Sequence, residues 1–144
     1  MSTIERAIEI AARAHAGQTD KAGQPYILHP LRLMLAVRTP QERMAAVLHD
    51  VVEDTPLTFE DLQKEGFPVE VIEAVRALTK HEGEARIDAA KRAVRNPIAR
   101  VVKLADVTDN MDLGRIPQPT EKDFARLKEY EKVREILLAG VPGP

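Results

Sequence analysis

The chain has 144 residues, 44% of them hydrophobic and 31% charged, which suits one globular domain able to bury a core. A net charge of -2 and an aromatic content of 3% with no tryptophan argue against long nucleic acid, which needs a basic face and often stacking platforms. Zero cysteines remove thiolates as metal ligands or nucleophiles. With no run apolar enough to cross a bilayer and no basic-then-apolar leader, the expectation is a cytoplasmic protein with no membrane partner.

Apolar residues recur at helical spacing almost throughout. Ile4, Ala7, Ile8, Ala11, Ala12 and His15 predict one side of a first helix, capped by Ser2 or Thr3 and ended by Gly17. Gln18 to Tyr26, with Gly23 and Pro25, reads as a loop. Ile27 to Val37 reads as a second helix with Pro30 in its first turn. Pro40 opens a third through Gln41 to Glu53, with Met44, Val47, Leu48 and Val51 as its apolar side.

Thr58 and Asp61 resemble a capping box for a short helix ending near Gly66. Pro68 starts another that buries Val71, Ile72, Val75 and Leu78. Glu84 to Val94 is amphipathic, and Pro97 to Leu113 is apolar enough to be central. Thr120 caps a last helix from Glu121 to Leu138, with Phe124, Leu127, Tyr130 and Leu137 turned inward. Its charged face could also support a homo-oligomer. The expected fold is an all-α bundle of roughly seven to eight helices. It forms one domain over residues 1–140, with a frayed tail at 141–144.

Chemistry concentrates at a few positions. His49 and Asp50 are adjacent metal-ligand types, about 100° apart on a helix. Glu53 and Asp54 follow at i+4 from each. Three carboxylates so close repel one another unless a cation or proton offsets them. The alternative is a solvated helix end before Pro56. Asp106, with Asn110 at i+4, sits in an apolar stretch and needs a partner, either a basic side chain or a metal. His29 precedes Pro30 at a helix start, where a lone histidine is a cap, a core residue or a ligand. His15 reads as structural and His81 as exposed. Arg86, Lys91, Arg92, Arg95, Arg100 and Lys103 could receive phosphates, or form a solvated face paired with acids such as Glu84 and Asp88.

Ala14-His15-Ala16-Gly17-Gln18 is followed by Lys21 to Pro30 (KAGQPYILHP), then Leu48 to Thr55 (LHDVVEDT). Leu78-Thr79-Lys80, then Val102 to Asp106 (VKLAD) with Asn110-Met111, complete an ordered set. This set resembles the HD-superfamily hydrolase domain of RelA/SpoT-type alarmone enzymes, including small stand-alone hydrolases. The resemblance implies that His29, His49, Asp50 and Asp106 hold one divalent metal, usually manganese in the family. Such a donor set also suits Fe, Co or Zn. It implies that Glu53 and Asp54 position and deprotonate the attacking water, and that Lys21 and Asn110 contact substrate. Tyr26 would pack the loop behind His29. The implied reaction is that of a guanosine 3′,5′-bis(diphosphate) 3′-pyrophosphohydrolase.

Two positions depart from the family. Asp20 and Val107 stand where it usually has arginine, and a carboxylate neither stacks on a base nor attracts phosphate. They leave the metal set intact and put the alarmone itself in question. Another nucleotide or small phosphorylated metabolite is the alternative substrate. A nucleotide-sensing module with weak catalysis and a helical interaction protein are the other readings.

Overall fold

Side-chain caps and prolines begin most helices in the computed structural model, which describes residues 2–139. In α1, Ile4–Ala14, the Thr3 hydroxyl accepts from the Arg6 amide. Helix α2, Leu28–Ala36, carries Pro30 in its first turn, where the missing amide is no loss. A reciprocal capping box between Thr39 and Glu42 starts α3, Pro40–Leu48. A single turn, α4, covers Val51–Asp54. The Thr58–Asp61 box opens α5, Phe59–Lys64, and Pro68 precedes α6, Val69–Leu78. Next come α7, Arg86–Ala93, and α8, Pro97–Asn110, which the Asn96 side chain caps. A 3-10 turn at Leu113–Arg115 leads to α9, Glu121–Ala139.

Among the described residues there are nine α-helices and no strand, only an isolated bridge between Thr19 and Pro25. The all-α expectation holds, and the expected helices are all present, the third divided into α3 and α4. No described helix is long and apolar enough to cross a membrane.

Every residue from Met44 to Leu48 is buried. Helices α1, α2, α6 and α8 pack around α3, and a helix enclosed on all sides is apolar on all sides. Helix α8 joins two cores. Ala99 and Val102 belong to the one around α3, and Val107 packs with Ala90, Val133 and Leu137 beneath α7 and α9.

The helix opened by Pro40 does not run on to Glu53. A turn at His49–Asp50 separates α3 from α4. The carbonyl of Ala46 accepts both the His49 amide and the His49 ring Nδ1–H at 2.7 Å, so the last turn tightens from i−4 to i−3. Asp50 follows at φ −107° and ψ 0°, the bridge region. Helix α8 ends at Asn110 rather than Leu113. Ala12 is exposed, and Ile10 takes its place in the core. Phe124 is 51% exposed, so the inward set of α9 is Val133 and Leu137 with Leu127 and Tyr130 half-buried. The first turn of α9 places Asp123, 12% exposed, against the cavity, so its Phe124 side faces solvent. The tail at 141–144 lies outside the described residues.

Candidate metal centre

Three helices bring four side chains to one point. His29 stands in the first turn of α2, His49 and Asp50 at the α3–α4 turn, and Asp106 on the middle of α8. His29 Nε2 lies 2.9 Å from Asp106 Oδ1, and His49 Nε2 lies 2.9 Å from Asp50 Oδ2 and 3.8 Å from Asp106 Oδ1. Ligand atoms of His29, His49 and Asp50 fall within 4.8 Å of one another. The contiguous-helix argument for His49 and Asp50 is therefore replaced by a turn, which brings the two side chains together more closely.

The donor set passes a test that rests on His49. Its Nδ1 proton is committed to the Ala46 carbonyl, so Nε2 carries the lone pair. That nitrogen is buried and makes no hydrogen bond of acceptable geometry, although Asp50 is close. A buried unsatisfied acceptor is costly, and a cation among two imidazoles and two carboxylates would satisfy it. Burial works against a charge on His49, yet Asp50 and Asp106 raise its pKa.

Charge is balanced around this point. Burial opposes ionisation of Asp106, but Lys103, His29 and His49 hold its pKa well below the usual carboxylate value. Lys103 Nζ donates to its Oδ2 at 3.0 Å, and Asn110 Nδ2 donates to its Oδ1 at 3.0 Å. For His29, burial alone would lower the pKa. Hydrogen bonds to Asp106 and Asp109 outweigh it and bring the ring up to about 9. Asp50 accepts from the Tyr26 hydroxyl, so Tyr26 does more than pack the loop. His15 stacks behind Tyr26 at 4.9 Å and donates Nδ1–H to Gln18 at 2.8 Å, the structural part expected of it.

The cluster floors a cavity of about 460 Å³ lined also by Lys21, Lys80, Arg86, Arg115 and Tyr130. Glu53 and Asp54 lie at its edge, both exposed, with carboxylate oxygens within 4.8 Å of those of Asp50. Partial burial and the charges of Asp50 and Glu53 push the Asp54 pKa up to about 6. Glu53 Oε1 accepts from the Lys80 amide at 2.7 Å and so ties α4 to the loop after α6.

On the substrate side Lys21 is exposed at the cavity, and Asn110 lines it while one amide hydrogen goes to Asp106. Asp20 Oδ1 accepts from the amides of Ala22 and Gln24, at 2.9 Å each, and closes its own loop. Gly23 at φ +80° completes that turn. Val107 is buried. Several residues of the basic cluster pair individually: Arg92 with Glu84, Arg86 with Glu129, Lys103 with Asp106.

Sequence reasoning missed Asp109, Arg32 and Arg115, which surround the far side of the His29 ring. The signal was present: Arg32 is i+3 from His29 and Asp109 is i+3 from Asp106, so each shares a helix face with a ligand candidate.

The chain belongs to the HD domain family, whose sequence profile matches residues 7–142. Among curated relatives it is 36% identical over 146 residues to a GTP pyrophosphokinase of Streptomyces coelicolor, covering 93% of this chain and 16% of that protein. It is 36% identical over 138 residues to the bifunctional (p)ppGpp synthase/hydrolase SpoT of Escherichia coli, covering 85% and 20%. The chain thus spans a fifth or less of the length of these two relatives. A solved structure of a metazoan SpoT ortholog, described as hydrolysing ppGpp and acting in starvation responses, superposes with a TM-score of 0.78 at 27% identity. That match covers 95% of this chain and 86% of the other.

Proposed function

We propose that residues 1–140 act as one cytoplasmic HD-type domain that hydrolyses a phosphoester or pyrophosphate on a nucleotide. The favoured reaction is removal of the 3′-pyrophosphate of guanosine 3′,5′-bis(diphosphate). The observation that carries this reading is the convergence of His29, His49, Asp50 and Asp106 on the floor of a cavity edged by Glu53 and Asp54. The four ligands would hold one divalent metal, with Mn preferred and Fe, Co or Zn compatible with the donors. When bound, that ion supplies Lewis acidity and charge compensation toward the phosphate oxygens.

The chain's own groups supply the rest. Asp54, with a pKa near 6, is ionised at neutral pH and basic enough to take a proton from the attacking water. Glu53 keeps one oxygen on the Lys80 amide and orients water with the other. Lys103 and Asn110 hold Asp106 in place; Asn110 and Lys21 also face the substrate. Water adds to phosphorus, the bond from phosphorus to the 3′ oxygen breaks, and guanosine 5′-diphosphate and pyrophosphate result.

A second reading is a different nucleotide or small phosphorylated metabolite. Asp20 favours it, because its carboxylate borders the cavity and cannot stack on a base. The deciding experiment is product analysis with Mn and a panel of guanosine alarmones, ordinary nucleotides and phosphorylated metabolites, with Asp50→Ala as control. Alarmone cleavage lost in the control supports the first reading. Cleavage of another compound alone supports the second, and unchanged turnover by Asp50→Ala sinks both.

A further inference from the structure

Asp109 is a carboxylate with no part in the reading above, yet it is among the most constrained side chains of the molecule. Its side chain is 12% exposed. Oδ2 accepts from His29 Nδ1 at 2.6 Å and from the Arg32 guanidinium at 3.0 Å. Oδ1 accepts from Arg32 Nε at 2.8 Å and from Arg115 at 3.2 Å. A second nitrogen of Arg115 donates to the Asp109 backbone carbonyl at 2.7 Å. Both oxygens are thus shared between two donors. Two guanidinium groups, which stay charged at any ordinary pH, hold the carboxylate ionised and nearly immobile.

An imidazole that faces such an acceptor has one favourable arrangement. Its Nδ1 must carry the proton, since a lone pair there would meet a carboxylate lone pair. That leaves Nε2 directed at Asp106, beside His49 and Asp50. The other candidate ligand ring, His49, is fixed in the same sense by a backbone carbonyl instead. Metal-ligating histidines generally need such a partner on the second nitrogen.

Resting on the metal reading of the site, we propose that Asp109 is the positioning residue of His29: it fixes the ring's orientation and proton so that Nε2 is presented to the ion. Arg32, one turn along α2, locks Asp109 from the helix that carries His29. Arg115, on the 3-10 turn at the cavity rim, locks it from the other side and also pairs with Asp112. Helix α8 therefore contributes twice, through a ligand and, three residues on, through the support of another ligand.

The test uses the full chain with Zn and Mn as probes. Calorimetry gives metal affinity for Asp109→Ala, Asp109→Asn, Asp109→Glu and Arg115→Gln. Nitrogen NMR of the Zn-loaded protein reports which ring nitrogen of His29 bears the proton. Asp109→Ala is expected to weaken metal binding roughly 10- to 100-fold and to erase the protected Nδ1–H signal. Asp109→Glu should recover part of the affinity. Arg115→Gln, which removes one of the two locks but leaves the carboxylate and Arg32 facing His29, should weaken metal binding clearly less than Asp109→Ala does. If Asp109→Ala does not fold, the isosteric Asp109→Asn carries the test, with a smaller loss in the same direction.

Parent-like metal affinity in both Asp109→Ala and Asp109→Asn overturns the proposal. So does an equal loss in Arg115→Gln, which would show that rim packing and not the carboxylate is responsible. Weakened metal binding in Asp109→Ala, with no phosphohydrolysis by the parent, would retire the proposed reaction and leave this assignment standing. Intact turnover with unchanged metal affinity would do the reverse.

Discussion

Metal binding should tighten steeply as pH rises, because the ion must displace a proton from His29. Without metal, that ring lies between Asp106 and Asp109, and its pKa stands at about 9. At pH 7 the Nε2 proton is therefore held against about 2.7 kcal/mol, at 1.36 kcal/mol per unit. Apparent affinity should rise about tenfold per pH unit below 9, since one proton leaves for each ion bound. The stability of the metal-free protein should move the opposite way. A pKa raised from 6.5 to about 9 gives stability that is fully present below pH 6.5 and lost as pH rises through 9, on the order of 3 kcal/mol. Mn titrations followed by the resonance of the free ion, at pH 6.5, 7.5 and 8.5, measure the first slope. Calorimetry in two buffers of different ionisation enthalpy counts the proton, and urea melts of chelated protein measure the second slope. An affinity that is flat with pH, with no proton released, would refute the reasoning.

Four further outcomes are expected of the same site and its supports. Activity should fall below about pH 6, where Asp54 becomes protonated; Asp54→Asn should lower kcat about 10²- to 10⁴-fold and abolish that limb of the pH profile. Arg92 donates to the carbonyls of Arg76, Ala77 and Thr79 at the end of α6 and pairs with Glu84, so Arg92→Met should destabilise by about 2 kcal/mol in urea melts and raise KM by loosening the loop that Glu53 grips. Leu137 is fully buried on the inner face of α9, against Ala90 and Val107, and Leu137→Ala should cost about 2–5 kcal/mol in the same melts with little effect on metal affinity. Saturating metal should raise the melting temperature of the parent, by the free energy of a ligand that binds only the folded state, and Asp106→Ala should show no such rise.

Much of this was legible in the sequence, and the rest failed for identifiable reasons. Helix starts were readable because Thr3, Thr58 and Thr120, or Pro40, Pro68 and Pro97, mark most of them locally; the Thr39 and Asn96 caps emerged only in the structure. The α3–α4 break was not, because apolar periodicity continues across it through Val47, Leu48 and Val51. The cause is a hydrogen bond from the His49 ring to a carbonyl three residues back. The inward face of α9 was misjudged at Phe124 because the polar Asp123, which apolar periodicity does not count, takes the cavity side of that turn. At the site, motif order supplied the four ligand candidates. Asp109 escaped because its i+3 spacing from Asp106 marks a shared helix face but not what that face meets; only the approach of α2 to α8 supplies His29.

The metal-free site explains why so many carboxylates can share it. Asp50 meets His49 and the Tyr26 hydroxyl, while Asp106 and Asp109 meet Lys103, Arg32, Arg115 and a protonated His29. Their attraction is arranged along α2 and α8, away from the exposed Glu53 and Asp54. Partial burial and the neighbouring charges of Asp50 and Glu53 raise the Asp54 pKa there. The site is thus divided by charge. Most of its floor is charge-paired by the chain's own groups, and the buried His49 Nε2 is the atom left for an ion to satisfy. Its edge is left electronegative, so a basic carboxylate remains where water can reach it. A structural ion-pair network would neutralise both parts; an uncompensated carboxylate edge beside a mostly paired floor is the arrangement that the proposed hydrolysis calls for.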